Sequence, residues 1–170
     1  MATNYASGMK STMIDLKELK VFLLKANKPH ATDTADMRKE KNGSHTIVFS
    51  DSEWSMEDNF FGGEPYGGQQ VVFYNDSPVW TCVYYGRIHD TSLNTDDLYG
   101  FLREALRYPP KDKPFRGPNK YKKGNLEYRN ELQGDADNYH GKELILENGK
   151  QVYWAEYLGG LVDQRFKNKY

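Results

Sequence analysis

The sequence predicts an α+β fold class: a duplicated helix-plus-antiparallel-strand unit that builds an antiparallel sheet with two helices packed on one face. The first observation is an internal repeat, because residues 68–88 align without a gap with residues 141–161, which lie 73 positions later. The second is a tight-turn signal inside each copy, and the third is an amphipathic helical pattern ahead of each copy. Self-similarity of this length is typical of one supersecondary unit duplicated within a fold.

The first predicted helix covers residues 14–27. Thr12 and Asp15 resemble a capping box at its start, and Pro29 is expected to end it. Lysines and a glutamate occupy most of its outer side, which leaves one apolar stripe for the core. The stripe consists of Leu16, Leu19, Leu23 and Ala26.

The second predicted helix covers residues 95–107 and separates the two copies of the repeat. Asn94 is the expected N-cap, because its side-chain oxygen can accept a hydrogen bond from the first turn, and Pro109-Pro110 ends the helix. Its apolar face consists of Leu98, Phe101, Leu102, Ala105 and Leu106.

About seven strands are predicted around these helices. Residues 30–44 are polar and are expected to form an exposed loop, followed by short strands near 45–49 and 53–57. Each repeat copy then forms a hairpin, turning at Asn75-Asp76 and at Asn148-Gly149, and residues 126–132 open the second half. Asn-Gly between apolar runs is the strongest short hairpin signal, because a type I′ turn needs positive φ at both central residues.

The two-residue turns fix the register and therefore which side chains share a sheet face. One face is then the core, packed under the helices, and the opposite face is too apolar for plain solvent exposure, which usually indicates a ligand or a partner. The predicted core face holds Val71, Phe73, Trp80, Cys82, Tyr84, Leu144, Leu146, Tyr153, Ala155 and Tyr157. The predicted opposite face holds Val72, Tyr74, Val79, Thr81, Val83, Tyr85, Glu143, Ile145, Val152, Trp154 and Glu156.

Length and composition predict one domain over residues 1–170, with 1–13 as a flexible N-terminus, 14–93 as the first half and 94–170 as the second. The net charge of −1 gives no bulk argument for nucleic-acid binding, and no stretch is apolar enough to suggest a membrane span. The single cysteine, Cys82, fits a reducing compartment. We therefore expect a cytoplasmic protein.

No motif for catalysis or metal binding accompanies the repeat. The histidines His30, His45, His89 and His140 show no metal-ligand spacing, with each other or with Cys82. We therefore predict no metal, no cofactor and no catalytic residues. Scattered acids such as Glu53, Glu57 and Asp58 leave a hydrolase-type enzyme as a third hypothesis, because active sites assemble across a fold.

One segment concentrates positive charge. Between residues 111 and 129 there are seven Lys and Arg against two acids, a local balance of 7 − 2 = +5. Within it Arg116 is held between Pro114 and Gly117-Pro118, which restrict the backbone. A guanidinium on a rigid loop suits carboxylate or phosphate recognition, so an anionic ligand is one reading, and a merely solvated basic loop is the other.

Several strings resemble an uncharacterised bacterial family known only as a domain of unknown function, from about residue 14 to residue 162. They are Phe60-Phe61-Gly62-Gly63, the run from Gly68 to Tyr74, Pro78-Val79-Trp80, the run from Tyr84 to Ile88, the run from Pro114 to Pro118, and Tyr157 with Gly159-Gly160. Members often follow an XRE-type helix-turn-helix, which implies a sensing or interaction role in transcription control. Only one helix is predicted here before the first strand, so direct DNA binding is not expected. The duplicated units also resemble, in architecture alone, the GyrI-like small-molecule-binding fold.

The leading hypothesis is a non-enzymatic small-molecule-binding or sensor domain, with the ligand in a cleft where the two halves meet. The alternative is an interaction domain that uses the apolar second face for a homodimer or another protein partner. The predicted ligand-binding residues are Trp54, Tyr66, Tyr74, Tyr85, Arg87, Arg116, Trp154 and Glu156.

Overall fold

A computed structural model describes residues 14–30, 37–89 and 91–162. Within them nine antiparallel strands form a single sheet in the order β1-β2-β3-β4-β5-β9-β8-β7-β6. The helices are α1 (Leu16–His30) and α2 (Thr95–Leu106), and the strands are β1 (Met37–Lys39), β2 (His45–Asp51), β3 (Trp54–Gly62), β4 (Tyr66–Tyr74), β5 (Ser77–Ile88), β6 (Lys120–Lys123), β7 (Leu126–Asp135), β8 (Asn138–Glu147) and β9 (Lys150–Leu161).

The predicted α+β class is wrong, because the part of the chain that the structure describes is 54% strand and only 18% helix, which makes it a β-rich fold. Two strands were missed, and both are sheet edges. Strand β1 lies in the segment predicted as a polar loop, and β6 lies in the basic segment. Edge strands rich in Lys and Arg lack the apolar alternation that identifies a strand in sequence, and their charge protects the open edge from aggregation.

The two halves of the sheet join where β5 pairs with β9, and Tyr84 lies directly opposite Tyr157 in that ladder. On either side of this seam stand the hairpins β4–β5 and β8–β9. Asn75 and Asp76 in the first turn, and Asn148 and Gly149 in the second, all have positive φ, so both predicted turns are confirmed.

Each hairpin contains a β-bulge, which changes the predicted faces. In the first, Val72 pairs with Trp80 whereas Phe73 pairs with Pro78, so Val79 is an extra residue on β5. The bulge shifts the alternation of β4 by one residue, which exchanges its two faces relative to β5. Val72 is consequently buried under the helices, together with Val79 and Trp80.

The second hairpin repeats this irregularity 73 residues later. Ile145 pairs with Tyr153 and Leu146 pairs with Gln151, which leaves Val152 as the extra residue. The predicted faces of β4 and β8 are therefore wrong. Val71, Phe73, Leu144 and Leu146 were predicted for the core, but the buried residues are Val72, Val79, Glu143, Ile145 and Val152. Tyr74, predicted for the opposite face, also lies on the helix-covered side, in contact with Trp54.

In each hairpin two tyrosine–glycine pairs face each other across the strands, with one tyrosine on each strand. In the first, Tyr84 lies opposite Gly68 and Tyr66 lies opposite Gly86. A Cβ on Gly68 would sit 2.6 Å from the Tyr84 hydroxyl, and one on Gly86 would sit 2.9 Å from the Tyr66 hydroxyl. Each ring therefore covers the backbone of the facing glycine and packs where a larger residue would collide.

The same pairs occur in the second hairpin, where Tyr157 lies opposite Gly141 and Tyr139 lies opposite Gly159. A Cβ on Gly141 would approach the Tyr157 ring to 2.3 Å, and one on Gly159 would approach the Tyr139 hydroxyl to 2.6 Å. These contacts explain why Tyr-x-Gly stands twice in each hairpin.

Both helices pack on the same face of the sheet. The apolar stripe of α1 meets β2 to β5, and its buried neighbours include Met56, Val72 and Trp80. The apolar face of α2 meets the second half, next to Tyr128 and Tyr153. The predicted N-cap is confirmed, because the Asn94 side chain accepts a hydrogen bond from the Asp97 backbone. Thr12 and the predicted flexible segment lie outside the described residues.

We predict that Gly141→Ala destabilises the protein by about 1–3 kcal/mol, because the added methyl group has no space beside the Tyr157 ring. The matched control is Gly100→Ala in α2, where a Cβ meets nothing within 4 Å and helix propensity alone should stabilise by up to about 1 kcal/mol. Urea unfolding measures both free energies. Equal effects of the two variants would refute the close tyrosine–glycine contact.

Candidate functional site

The structure places the eight predicted ligand-binding residues in three separate regions. Tyr66 and Arg116 lie under the helices at the junction of the two halves, and Trp54 and Tyr74 lie beside α1. Tyr85, Arg87, Trp154 and Glu156 share the open face of the sheet, where Tyr85 pairs with Glu156 and Arg87 pairs with Trp154.

The predicted cleft between the halves is occupied by the chain itself. The segment from Pro114 to Pro118 inserts Phe115 against Tyr139, with ring centroids 4.7 Å apart. Beside it the Arg116 guanidinium lies 5.4 Å from the centroid of Tyr84 and 5.7 Å from that of Tyr157. The two tyrosines that face each other across the seam thus hold one cation between them.

Glu143 neutralises this cation. The carboxylate is fully buried and accepts hydrogen bonds from Arg116 Nη2 at 2.6 Å and Arg116 Nε at 3.2 Å. Two hydroxyls complete its shell, that of Tyr128 at 2.7 Å and that of Tyr153 at 2.9 Å. Because Tyr153 donates to Glu143, its 2.5 Å contact with Tyr66 makes the Tyr66 hydroxyl the donor in that bond.

Burial and the nearby carboxylate keep these groups in fixed protonation states. Burial raises the pKa of Tyr66 to about 12, and burial together with the Glu143 charge raises the pKa of Tyr128 and Tyr153 well above the ordinary value. Burial by itself would lower the pKa of Arg116, but the Glu143 charge outweighs it and raises that pKa further. At neutral pH the cluster is therefore one ion pair enclosed by neutral tyrosines.

The cluster leaves little for a substrate to use. Arg116 is only 11% exposed, and its bidentate partner is the chain's own carboxylate. The outer tyrosines are also satisfied, since Tyr84 donates to Asp58 at 2.5 Å and Tyr157 donates to Asn130 at 2.6 Å. This arrangement holds the halves together and presents no unpaired acid or base. Three further cations of the basic segment contact acids of the chain: Lys120 and Arg129 contact Glu127, and Lys123 contacts Glu104.

The open face of the sheet carries a groove of about 740 Å³. It crosses β5, β9, β8 and β7, and its apolar part consists of Val83, Tyr85 and Leu158, which are 39%, 45% and 59% exposed. Its polar part consists of Glu131, Gln133, His140, Lys142 and Glu156. An apolar floor with a few polar groups is the usual composition of a ligand site.

Register brings these side chains into two rows across the strands. One row runs Val83, Leu158, His140, Gln133, and the next runs Tyr85, Glu156, Lys142, Glu131. Lys142 thus stands between two glutamates, with its Nζ 3.9 Å from Glu156 Oε1. A third row places Trp154 and Leu144 between Arg87 and Arg129. The groove therefore offers donors and acceptors of both signs beside an apolar strip.

A second groove, of about 490 Å³, runs between α1 and the turn joining β2 to β3. Trp54 and Tyr74 line it, together with Phe22, whose ring stacks on Trp54 with centroids 5.5 Å apart. Lys25 and Asp51 close one side through a 2.6 Å ion pair. These aromatic rings mainly attach α1 to the sheet.

Among the described residues, the remaining reactive groups form no further reactive centre. Burial raises the pKa of the Cys82 thiol to about 11, so it stays protonated and is a poor nucleophile. No group of three or more metal-ligating side chains occurs in the part of the chain that the structure describes. Within the same ranges, neither helix has the length and apolar character that crossing a bilayer requires.

Sequence reasoning missed most of the groove. His140, Lys142 and Leu158 come together only through the pairing of β8 with β9, and Glu131 through the pairing of β7 with β8. The repeat does contain a signal, because aligning its two copies places Gln69 with Lys142 and Tyr85 with Leu158. The bulge obscured that signal by exchanging the faces of β8 relative to β9.

We predict that stability falls steeply above pH 10. In the unfolded chain tyrosine ionises near pH 10, whereas in the folded protein the pKa of Tyr66 is about 12 and those of Tyr128 and Tyr153 are raised well above the ordinary value. A raised folded-state pKa contributes stability that is complete below pH 10 and is lost as the pH rises through the folded value. Tyrosinate absorbance and circular dichroism should therefore change together. Full tyrosine ionisation near pH 10 with an unchanged fold would contradict the buried cluster.

Comparison with known proteins identifies a family but no function. The family model described as "Domain of unknown function (DUF5680)" matches residues 58–162, which include β4 to β9, α2 and the Arg116 loop. The chain belongs to this family. No curated protein and no solved structure matches it.

Proposed function

We propose that this member of the DUF5680 family is a non-enzymatic ligand-binding or sensor domain whose binding surface is the groove on the open face of the sheet. The observation that carries the proposal is the contrast between the two faces. On the helix-covered side the charged groups of the junction are paired and buried, whereas on the open side Val83, Tyr85 and Leu158 remain exposed beside unburied charges. Exposed apolar surface of this kind usually serves recognition.

The groove's chemistry suggests a small ligand with one flat apolar part and polar substituents. Tyr85 offers an aromatic ring at one end, and Trp154 lies next to the groove with its ring centroid 5.8 Å from that of Tyr85. His140 and Lys142 supply hydrogen-bond donors at the other end, and Glu131 and Glu156 supply acceptors. Neutral or zwitterionic metabolites fit this mixture better than strongly charged anions do, since the acids and bases alternate.

Two further proposals, on regulation and on cellular location, rest on the family resemblance and on the single cysteine. The resemblance to a bacterial family found behind helix-turn-helix domains suggests that ligand binding reports to transcription control. The single cysteine, buried as Cys82, suits a reducing compartment, and we place the protein in the cytoplasm.

An interaction domain is the second candidate function. It is favoured by apolar residues of the open face that extend beyond the groove, namely Val48 and Phe61, which are 46% and 50% exposed. A surface that continues past the volume of a small ligand is expected of a protein partner.

A thermal-shift screen of nucleotides and common metabolites tests the proposed function. A ligand at about 100 times its dissociation constant should stabilise the native state by about 2.7 kcal/mol, which corresponds to roughly 5–10 °C for a domain of this size. We predict that Tyr85→Ala abolishes the shift because the variant removes the exposed ring of the groove.

The matched control is Tyr108→Ala, since Tyr108 is a similarly exposed tyrosine that stacks on Tyr121 away from the groove. It should retain the full shift. A hit that survives Tyr85→Ala and is lost in Tyr108→Ala would place the ligand elsewhere and overturn the proposal.

A further inference from the structure

The groove on the open face has one wall missing. All its lining residues come from β5, β7, β8 and β9, which form its floor and sides, so no described helix or loop crosses above them. Ligand sites in proteins usually bury 70–90% or more of a small molecule's surface. A molecule bound to this groove alone would remain largely in water.

We infer that a second copy of this chain supplies the missing wall, with the open sheet faces of two copies packed against each other. This inference rests on the proposed function, since it completes the same groove. Two antiparallel sheets packed face to face form a sandwich with a separation of about 10 Å, filled by side chains from both inner faces. The shallow groove of each copy would then become an enclosed cavity at the interface.

The distribution of exposed apolar residues supports this surface as the interface. Eight large apolar side chains are exposed in the described part of the chain, and five of them point from the open face. These five are Val48, Phe61, Val83, Tyr85 and Leu158. They lie on four strands, β2, β3, β5 and β9, and so form a broad strip across the sheet.

Charge favours a second copy over other partners. On the strands from β2 to β7 the basic side chains of this face are Arg87, Arg129 and Lys142, and the acidic ones are Glu57, Glu127, Glu131 and Glu156. The edge strands β1 and β6 add Arg38, Lys120 and Lys122. Three bases against four acids between β2 and β7 leave one net charge, so two identical faces meet with little bulk repulsion, and each presents both signs for pairing. A nucleic acid would require a net positive surface, which the part of this face between β2 and β7 does not have.

The size of the face is adequate for a stable dimer. From β2 to β7 the open side spans six strand spacings, about 30 Å, and the rows from Val48 to Arg87 span about 20 Å along the strands. The flat projection is roughly 600 Å², and side-chain relief brings it close to the approximately 800 Å² per partner of a standard interface.

Sedimentation equilibrium and light scattering on the full chain test the inference. At about 100 µM we expect the wild type to have twice the 19.7 kDa chain mass. Leu158→Arg should weaken association by about 100-fold or more, because it places an unpaired charge within the apolar strip. The matched control is Val21→Arg, at an equally exposed apolar residue of α1, which should remain dimeric.

Charge reversal gives an independent readout. Lys142→Glu replaces the cation between Glu131 and Glu156 by a third carboxylate, and Glu156→Lys puts a second cation beside Lys142, so each variant should weaken self-association. Mixing these two variants should restore dimers. Circular dichroism and urea unfolding confirm that each variant is folded.

A wild type that remains a single chain at about 200 µM would overturn the inference, as would dimers that persist in both Leu158→Arg and Lys142→Glu. The thermal-shift panel of nucleotides and metabolites separates this failure from that of the proposed function. If the wild type is a monomer and still shows a thermal shift that depends on Tyr85, the proposed ligand site stands and only the dimer is wrong. If the wild type is a dimer and shows no thermal shift with any compound, the dimer interface stands and the proposed small ligand is wrong.

Discussion

The buried carboxylate of Glu143 is the constraint on which the junction of the two halves depends. A charge at zero exposure is tolerated only when it is paired and fully hydrogen-bonded, and here two tyrosine hydroxyls and a bidentate Arg116 supply the partners. Because Arg116 comes from the segment between α2 and β6, its ion pair fixes that segment against β8. The seam tyrosines Tyr84 and Tyr157 then pack against the guanidinium.

This arrangement separates the face that holds the two halves together from the face on which we propose binding. On the helix-covered face, aromatic and charged side chains contact one another. For example, the Phe115 ring packs against Tyr139, and the Tyr66 hydroxyl is hydrogen-bonded to that of Tyr153. The open face carries a comparable mixture of aromatic, acidic and basic side chains that are solvent-exposed. Binding on the open face would leave the ion pair and the two helices undisturbed, which suits the proposed binding function.

Much of the architecture follows from local sequence signals. Helix α2 was located by its apolar spacing and its cap at Asn94, and both hairpin turns were located by residues that tolerate positive φ. The bulges were missed because a bulge leaves no strong local signal: Val79 and Val152 look like ordinary strand valines, yet each exchanges the faces of the preceding strand. The edge strands β1 and β6 were missed because their lysines and arginines suit an edge as well as a loop.

The candidate site was less predictable than the fold, because it depends on distant pairing. Arg116 stood out in the sequence as a rigid cation, but nothing local indicated that its carboxylate partner would be Glu143, 27 residues away. Likewise Tyr85 and Glu156 were predicted for the site, whereas His140 and Lys142 joined them only through the β8–β9 ladder. The high aromatic content predicted a binding surface, but the position of that surface depends on the strand register, which the sequence did not reveal.

A double-mutant cycle on Arg116 and Glu143 tests most directly whether the ion pair closes the junction. Free energies of unfolding would be measured for wild type, Arg116→Met, Glu143→Gln and the double variant. Removing Arg116 alone should cost about 3–5 kcal/mol, because it leaves a buried charge unpaired, and the double variant should recover a large part of that loss. A coupling free energy of about 2 kcal/mol or more is the predicted result. Additive effects, with a coupling below about 0.5 kcal/mol, would show that the two groups do not depend on each other.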